Sequence, residues 1–478
     1  CTTWRFVPLR VGRPARTHGT GERGATKRPG TGKRYALRRA RRQTIARPGR
    51  VRASAGAGPV PYGEHVRHRC DHTAGPEARL RRARIAGSVF FLTNGALMAC
   101  LLPRLPEVKA ALGVSDGAFG LALAAVPVGA LTAGSAAPVL IRRMGEARLA
   151  AVGTAVMALA VLAAGLCPLV AAPWPRPTGV VSFAVALFVV GVADSLVDVA
   201  QNAHALRVQR AFGRSIISTM HAVWSLGAVV GGLVAAASIA VGLPLGWQLT
   251  LSGTLLTALA AWACAGALPN SPERDAESDS ADETATSTRT RPSARTLLLL
   301  AAFGLLTVCG AVGEDLANSW SALYLHRDLG ADASLAALGF TLVVAAQFLG
   351  RLLGDRQIDR LGPRAVLRCG GAVLTLGMSL ALLVPSIPTT LLGFTAVGYG
   401  VATLVPVAMH QADELPGLAP GVGLTAVAWL MRFGFLAAPP LVGALADAAG
   451  LAAGLWVLPA AGLVVLIAAS AVRAPQSR

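Results

Sequence analysis

Twelve apolar segments, each long enough to cross a lipid bilayer, constrain this chain more than any other feature of its sequence. A transmembrane helix needs about 20 consecutive apolar residues and pairs its own backbone polar groups. The segments lie at about residues 85–103, 117–141, 147–170, 179–206, 215–241, 246–268, 297–323, 333–353, 365–385, 388–411, 421–446 and 450–472. With 54% hydrophobic and only 14% charged residues, the chain is predicted to be an all-α integral membrane protein with twelve transmembrane helices.

The net charge of +20 is concentrated in residues 1–82, which hold 21 Lys and Arg against 4 Asp and Glu. This stretch is rich in Arg, Gly and Pro without apolar periodicity, which predicts a disordered basic tail. A nucleic-acid arm, an anionic-lipid tether and a transit peptide all fit such a tail. Because the chain begins at Cys1 and its first methionine is Met98, we favour translated upstream sequence outside the native protein, and we predict no nucleic-acid partner.

A polar linker divides the apolar segments into two sets of six. The predicted domains are a six-helix bundle at 84–268, the linker at 269–295, a second bundle at 296–472 and a short tail at 473–478. Loop arginines gather on the side of the linker and both termini, whereas the other side carries only Arg104, Lys109, Arg176 and Arg327. The positive-inside rule therefore predicts a multi-pass protein of the cell membrane with both termini cytoplasmic.

The two halves contain an internal repeat. Leu112-Gly113 has its counterpart in Leu329-Gly330, and Arg143-Met144-Gly145 has its counterpart in Arg360-Leu361-Gly362. The glycines of both pairs are 217 residues apart. A constant offset across a whole hairpin predicts two pseudo-symmetric copies of one six-helix unit, as in many secondary transporters.

Polar residues interrupt the fourth and fifth segments on either side of a basic turn. Asp194, Asp198 and Asn202 recur every four residues and so share one helical stripe, and His221 lies at a depth similar to that of Asp198. Ionisable residues inside a membrane mark solute or proton paths. Asp198 fits a proton-exchanging carboxylate or an acid satisfied by the basic turn. His221 fits a proton relay, a partner of Asp198 or a structural hydrogen bond.

Further candidates lie in the fifth, seventh and eleventh segments. Trp224 fits either solute stacking or packing. Glu314, Asp315 and Trp320 fit the lining of an outer cavity or an interfacial patch. Arg432 is predicted to lie about 16 Å into the bilayer, where it needs a counter-charge or an anionic substrate.

The predicted partners of Arg432 are Asp194 and Glu314. Asn94, Gln347 and His410 are weaker polar candidates. Gly227 and Gly231, spaced G-x-x-x-G, predict a close helix contact rather than a nucleotide loop.

Three stretches carry a family resemblance. They are FFLTNGALMACLLPRLPEVKAALGVSDGAFG (Phe90–Gly120), DVAQNAHALRVQRAFGRSIISTMHAVWSLGAVVG (Asp198–Gly231) and, within Asn318–Gly362, NSWSALYLHRDLGADASLAALGF with GRLLGDRQIDRLG. The chain resembles the major facilitator superfamily and, more narrowly, its fucose-permease-like branch with the inner-membrane proteins of the YbjJ type. The resemblance implies two six-helix bundles, a monomer, and transport of a sugar or other small polar solute.

The resemblance also implies gating loops after the second and eighth helices, where the superfamily usually reads like G-x-x-x-D-R-x-G-R. In the first loop Pro138 and Arg142 stand at the Gly and Asp positions, so the gate there lacks its usual acid. The predicted gating residues are Arg142, Arg143 and Gly145 in the first half and Asp359, Arg360 and Gly362 in the second.

The sequence lacks the common signatures of cofactor and enzyme chemistry. Its seven cysteines form no C-x-x-C pair, and there is no Walker A, H-E-x-x-H or G-x-S-x-G motif. We therefore predict no cofactor and no enzyme, but a bilayer-embedded secondary transporter of a small solute, coupled to protons through Asp198 or Glu314. Efflux by proton antiport and a non-transporting solute sensor remain alternatives, and the sequence does not specify the substrate.

Overall fold

The computed structural model describes residues 75–134, 136–170, 176–213, 216–269, 293–418 and 421–472. Within them lie twelve helices long and apolar enough to cross a membrane, which confirms the predicted count. Spans 1 to 12 are Glu77–Leu112, Asp116–Ala133, Glu146–Cys167, Thr178–Phe212, Thr219–Ala240, Leu245–Gly266, Ala294–Asp328, Ala333–Leu361, Pro363–Leu383, Ile387–Asp413, Val422–Ala449 and Leu451–Ala471. The predicted tail up to residue 74, most of the predicted linker and residues 473–478 lie outside the described residues.

The first helix is longer than the sequence predicts. It begins at Pro76, before the predicted end of the tail at residue 82. The extra turns form because the helix buries Ala83 completely and packs Leu80 against the apolar cluster that contains Ala83, Val208 and Ile216. At its far end, span 1 continues through a 3₁₀ turn at Leu102–Arg104 before a final helical stretch to residue 112.

The repeat appears in the backbone of the hairpin turns. Gly145 caps the short helix Ala137–Met144 that follows span 2, and Gly362 caps span 8. Their φ angles are 80° and 81°, and the amide of each donates to the carbonyl four residues earlier. A positive φ strains a residue with a Cβ, so both turns require glycine. The 217-residue offset therefore corresponds to two turns of the same geometry.

Spans 1 and 5 pack closely through the predicted G-x-x-x-G pair. A Cβ on Gly227 would collide with the carbonyl oxygen of Leu92, and one on Gly231 would lie 2.5 Å from that of Ala96. Small residues let helix backbones approach within a membrane, where apolar burial gives no driving force between helices. The pair is thus a helix contact, as predicted.

The two six-helix halves are sealed together at one end. We call the end with the turns at Gly145 and Gly362 the basic end, and the other the opposite end. At the opposite end spans 2 and 11 approach so closely that a Cβ on Gly120 would collide with the carbonyl oxygen of Pro439. A Cβ on Gly443 would likewise lie 2.5 Å from the carbonyl oxygen of Asp116.

Charged residues reinforce this seal. The carboxylate of Asp116 bonds to Lys109 Nζ at 2.8 Å within the first half. It also accepts two bonds of 2.8 Å from Arg327 Nη1 in the second half. Beside it, Asp447 Oδ2 accepts the amide of Gly117 at 2.9 Å. Two backbone contacts and two polar links thus join the halves at the opposite end.

Candidate functional site

A cavity of about 500 Å³ lies between the two halves and is lined by residues of both. Its polar lining in the first half consists of Asn94, Asp194, Ser195, Asp198 and Trp224, and in the second half of Glu314, Asp315, Asn318, Ser319, Gln347 and Arg432. Six of the nine predicted pathway residues therefore reach the cavity. Of the other three, His221 is exposed, Asn202 is half-buried and Trp320 is buried.

Asn94 organises the first-half wall. Its Nδ2 donates to Asp194 Oδ1 at 2.9 Å, while the indole Nε1 of Trp224 donates to its Oδ1 at 2.7 Å. One buried amide thus joins spans 1, 4 and 5. The sequence ranks Asn94 only as a weak candidate, since an isolated amide in an apolar segment does not show which helices it will bridge.

Replacing Asn94 with Leu should destabilise the protein by about 2 kcal/mol, because both Asp194 and the Trp224 indole lose a buried partner. Thermal unfolding of the detergent-solubilised protein measures the change. Asn202→Leu is the matched control, because the bonds that Asn202 makes to described residues are to Asp198 of its own helix. This substitution should cost about 0.5 kcal/mol. Equal losses in the two variants would contradict the bridging role of Asn94.

The predicted stripe on span 4 forms a local hydrogen-bond cluster. Asn202 Nδ2 and Gln201 Nε2 donate to Asp198 Oδ1 at 2.9 and 3.3 Å. His221 lies within electrostatic range of Asp198. Its ring packs edge-on against Phe91, with 5.2 Å between the centroids.

A basic residue that the sequence analysis missed faces this cluster from the second half. Arg351 Nη2 lies 3.4 Å from Glu314 Oε1, and Arg351 is within electrostatic range of His221 across the two halves. The sequence could have identified Arg351 as a candidate by its spacing, because Arg351 follows Gln347 by four residues and shares its helix face. Acids and bases of both halves therefore meet near the basic end of the cavity.

Within the described part of the chain, some buried polar atoms of the second-half wall have no hydrogen-bond partner. They are Asp315 Oδ2, Asn318 Oδ1 and Gln347 Nε2, and all three residues line the cavity. Asp315 and Asn318 are three residues apart on span 7, so they share a face. Gln347 belongs to the neighbouring span 8.

Trp320 lies outside the lining of this cavity, whereas one of its two predicted interpretations places it in a cavity lining. Its side chain is fully buried and meets Phe119 of the first half edge-on, with centroids 6.2 Å apart. Trp320 is instead a packing residue between the two halves.

The predicted ion pairs of Arg432 do not form among the residues that the structure describes. Its guanidinium carbon lies 5.6 Å from the ring centroid of Trp429, a cation–π distance. Glu314, one of the predicted partners, faces Arg351 instead. Arg432 still lines the cavity, so its charge is available to a solute.

The predicted gating residues occupy equivalent turns at the basic end. Arg142, Arg143, Asp359 and Arg360 are exposed, while Gly145 and Gly362 are buried. Their part in a gate stays a prediction. Over the described ranges, no group of three or more His, Cys, Asp or Glu side chains is placed to hold a metal ion.

Two six-helix units around a charged internal cavity define the architecture of a secondary transporter. The family model of the Major Facilitator Superfamily matches residues 303–478. The uncharacterised transporter y4wD of Sinorhizobium fredii is 29% identical over 370 residues, which cover 75% of this chain and 90% of that protein. An uncharacterised MFS-type transporter of Yersinia pestis is 27% identical over 388 residues, covering 81% and 94%.

A solved structure shares the architecture. The crystal structure of a variant of the nucleoside transporter NupG superposes with a TM-score of 0.61 at 14% identity, covering 81% of this chain and 98% of that one. The fold is that of the major facilitator superfamily. The relatives support a multi-pass membrane transporter of this type rather than an enzyme.

Proposed function

We propose that the protein is a proton-coupled secondary transporter that moves a small solute by alternating access, within the fucose-permease-like branch of the superfamily. The observation that carries the proposal is the cavity between the halves, because four carboxylates line it: Asp194, Asp198, Glu314 and Asp315. Ionisable groups at such depth are retained where they bind ions, protons or solutes.

The proposed cycle begins from a state open toward the basic end. The opposite end is sealed by the contacts of Asp116 with Arg327 and of Gly117 with Asp447. Nearer the basic end, Asp198, His221 and Arg351 are exposed. If the basic end is cytoplasmic, as the positive-inside rule indicates, this is the inward-facing state of a cell inner-membrane protein.

The carboxylates supply the proposed coupling. An ionised carboxylate away from water requires a donor or a counter-charge, and Asp315 Oδ2 has no hydrogen-bond partner among the residues that the structure describes. A proton on Asp315 would remove that cost during the transition between states. Asp198 and Glu314, the carboxylates favoured by the sequence, each lie beside a basic residue of their own half, His221 for Asp198 and Arg351 for Glu314.

Solute-driven proton movement tests this function. The purified full chain would be reconstituted into liposomes containing a trapped pH-sensitive dye, and hexoses would then be added outside. Proton symport should acidify the lumen when solute enters. Alkalinisation would instead establish antiport, and solute binding without any solute flux would establish a sensor. The sensor result, or solute flux without any change of pH, would contradict the proposal, whereas antiport would change only the direction of coupling.

A further inference from the structure

A second cavity, of about 290 Å³, lies within the second half, between spans 8, 9 and 10. It is lined by Gly350, Gln357 and Leu361 of span 8, by one face of span 9, and by Tyr399 and Thr403 of span 10. The lining of the cavity between the halves includes none of these residues. The proposed solute path therefore does not account for this second cavity.

Two glycines of the lining mark its deep part. A Cβ on Gly350 would lie 2.5 Å from the Cβ of Ala402, and one on Gly370 would lie 2.6 Å from the carbonyl oxygen of Gly400. Spans 8 and 9 therefore each pack tightly on span 10 at this level. From Gly350 the lining extends along span 8 to its last residue, Leu361, over about 16 Å. The cavity thus reaches the turn at the basic end.

The cavity also borders the outer, apolar surface of the bundle. Cys369 and Val373 of span 9 line it and are exposed. Leu376 and Leu380 continue the same exposed helix face toward the opposite end. Exposed apolar side chains of a membrane helix contact lipid tails. A hydrocarbon chain can therefore enter the cavity directly from the bilayer.

The edge of the cavity at the basic end carries positive charge. On span 8, Arg356 and Arg360 lie within about 100° of the lining residue Gln357 around the helix axis. Asp355 and Asp359 are about 160° from it, on the far side of the helix. Both arginines are exposed, and neither forms an ion pair with a residue that the structure describes. Arginine pairs strongly with phosphate, so this edge is suited to a phosphate group.

A polar pair lies between the apolar and the charged parts of the cavity. The amide Nε2 of Gln357 donates to the hydroxyl oxygen of Tyr399, and both residues line the cavity. The O–H of Tyr399 makes no bond to an acceptor in the described part of the chain. A hydroxyl that accepts one bond can still donate one. The ester carbonyl of a lipid supplies such an acceptor.

We infer that this cavity binds an anionic phospholipid from the leaflet at the basic end. Its phosphate lies beside Arg356 and Arg360, and one acyl chain lies along Cys369 and Val373. Basic pockets between membrane helices bind anionic headgroups. A free phosphate would use only the arginines, and a neutral lipid only the apolar face, whereas an anionic phospholipid matches both. The site is outside the solute path and does not depend on proton coupling.

Protection of Cys369 measures occupancy of the cavity. The purified full chain, with Cys369 as its sole cysteine, would react with uncharged N-ethylmaleimide in micelles containing phosphatidylglycerol or phosphatidylcholine of the same acyl chains. Phosphatidylglycerol should slow labelling at an about 25-fold lower mole fraction, since each arginine favours anionic lipid about fivefold. Inorganic phosphate should leave the rate unchanged. Equal effects of the two lipids, or protection by inorganic phosphate, would overturn the inference.

A second cysteine position tests whether protection is local. Leu376→Cys, as the sole cysteine, places the thiol on the same exposed face of span 9 but outside the cavity lining. Its labelling rate should be the same in both lipids. Equal protection at the two positions would show a general effect of micelle charge and would overturn the inference.

Paired variants test the arginines. Arg356→Gln combined with Arg360→Gln should remove most of the preference for phosphatidylglycerol at Cys369. Arg142→Gln combined with Arg143→Gln is the matched control, because it removes the same charge from exposed residues at the equivalent turn of the first half. Thermal unfolding confirms that each variant is folded. A preference that survives in the first pair as fully as in the control would overturn the assignment.

Discussion

Asp116→Asn is expected to open the opposite end of the protein, raising the accessibility of the cavity from that side about 30-fold. Asp116 is nearly buried and bonds to Arg327 across the two halves while also bonding to Lys109. Charge-assisted hydrogen bonds contribute about 1.5–3 kcal/mol each. Losing about 2 kcal/mol from one conformational state shifts a two-state equilibrium about 30-fold.

Labelling of a cavity cysteine measures this shift. Ser195→Cys, a cavity-lining position, would be introduced into a background without native cysteines and treated with a membrane-impermeant maleimide. Right-side-out and inverted vesicles expose opposite faces to the reagent. Labelling from the opposite end should accelerate in Asp116→Asn, while labelling from the basic end should slow.

Glu107→Gln is the matched control for the opposite-end seal. Glu107 pairs with Arg104 at 2.9 Å, at the same end of the molecule but within the first half. Its loss removes a charge pair without releasing any contact between halves, so labelling should match the parent protein. An Asp116→Asn variant that also labels like the parent would show that the backbone contacts alone hold the seal.

The spans and the repeat were predictable because their causes are local. A helix must present enough apolar residues to match the bilayer, and the turns at Gly145 and Gly362 require glycine for their positive φ. Both signals can be read within about 30 residues of sequence. The twelve spans therefore agree closely with the apolar segments.

Which side chains contact one another was less predictable, because these contacts depend on the rotation and tilt of each helix. Asp315 and Trp320 are five residues apart, or about 140° around a helix, so one reaches the cavity while the other packs on Phe119. Asn318 is only about 60° from Asp315 and shares its face. Helical spacing alone could therefore have predicted that Asp315 and Asn318 share a helix face and that Trp320 lies on a different one.

Depth along the bilayer is a weaker guide to partners. Counting residues places Arg432 deep in its span, but it does not identify which charge lies opposite. In the structure Glu314 faces Arg351, and Arg432 lies near Trp429 instead. The arrangement of spans 7, 8 and 11 decides this, and a single sequence contains no direct record of it.

Asp315→Asn should abolish proton-driven accumulation while preserving solute exchange. With one proton per solute, an inward gradient of about one pH unit supports about tenfold accumulation, since 1.4 kcal/mol corresponds to a factor of ten. Asn keeps the size and hydrogen-bonding oxygen of the side chain but cannot bind or release the proton. Accumulation in liposomes should therefore fall to about onefold, with counterflow intact.

The same assay distinguishes the other carboxylates. The sequence alone predicts that the carboxyl of Asp198 or Glu314 carries the proton. Asp198→Asn or Glu314→Gln should abolish accumulation only if the replaced carboxyl has that role. Glu314→Gln also leaves Arg351 without its acidic neighbour, so it should slow counterflow as well. Glu414→Gln is the control, because Glu414 is exposed beside His410 and outside the cavity lining. Full accumulation in Asp315→Asn with loss in Asp198→Asn would move the coupling site to span 4, because only a titrating carboxyl can link solute flux to the pH gradient.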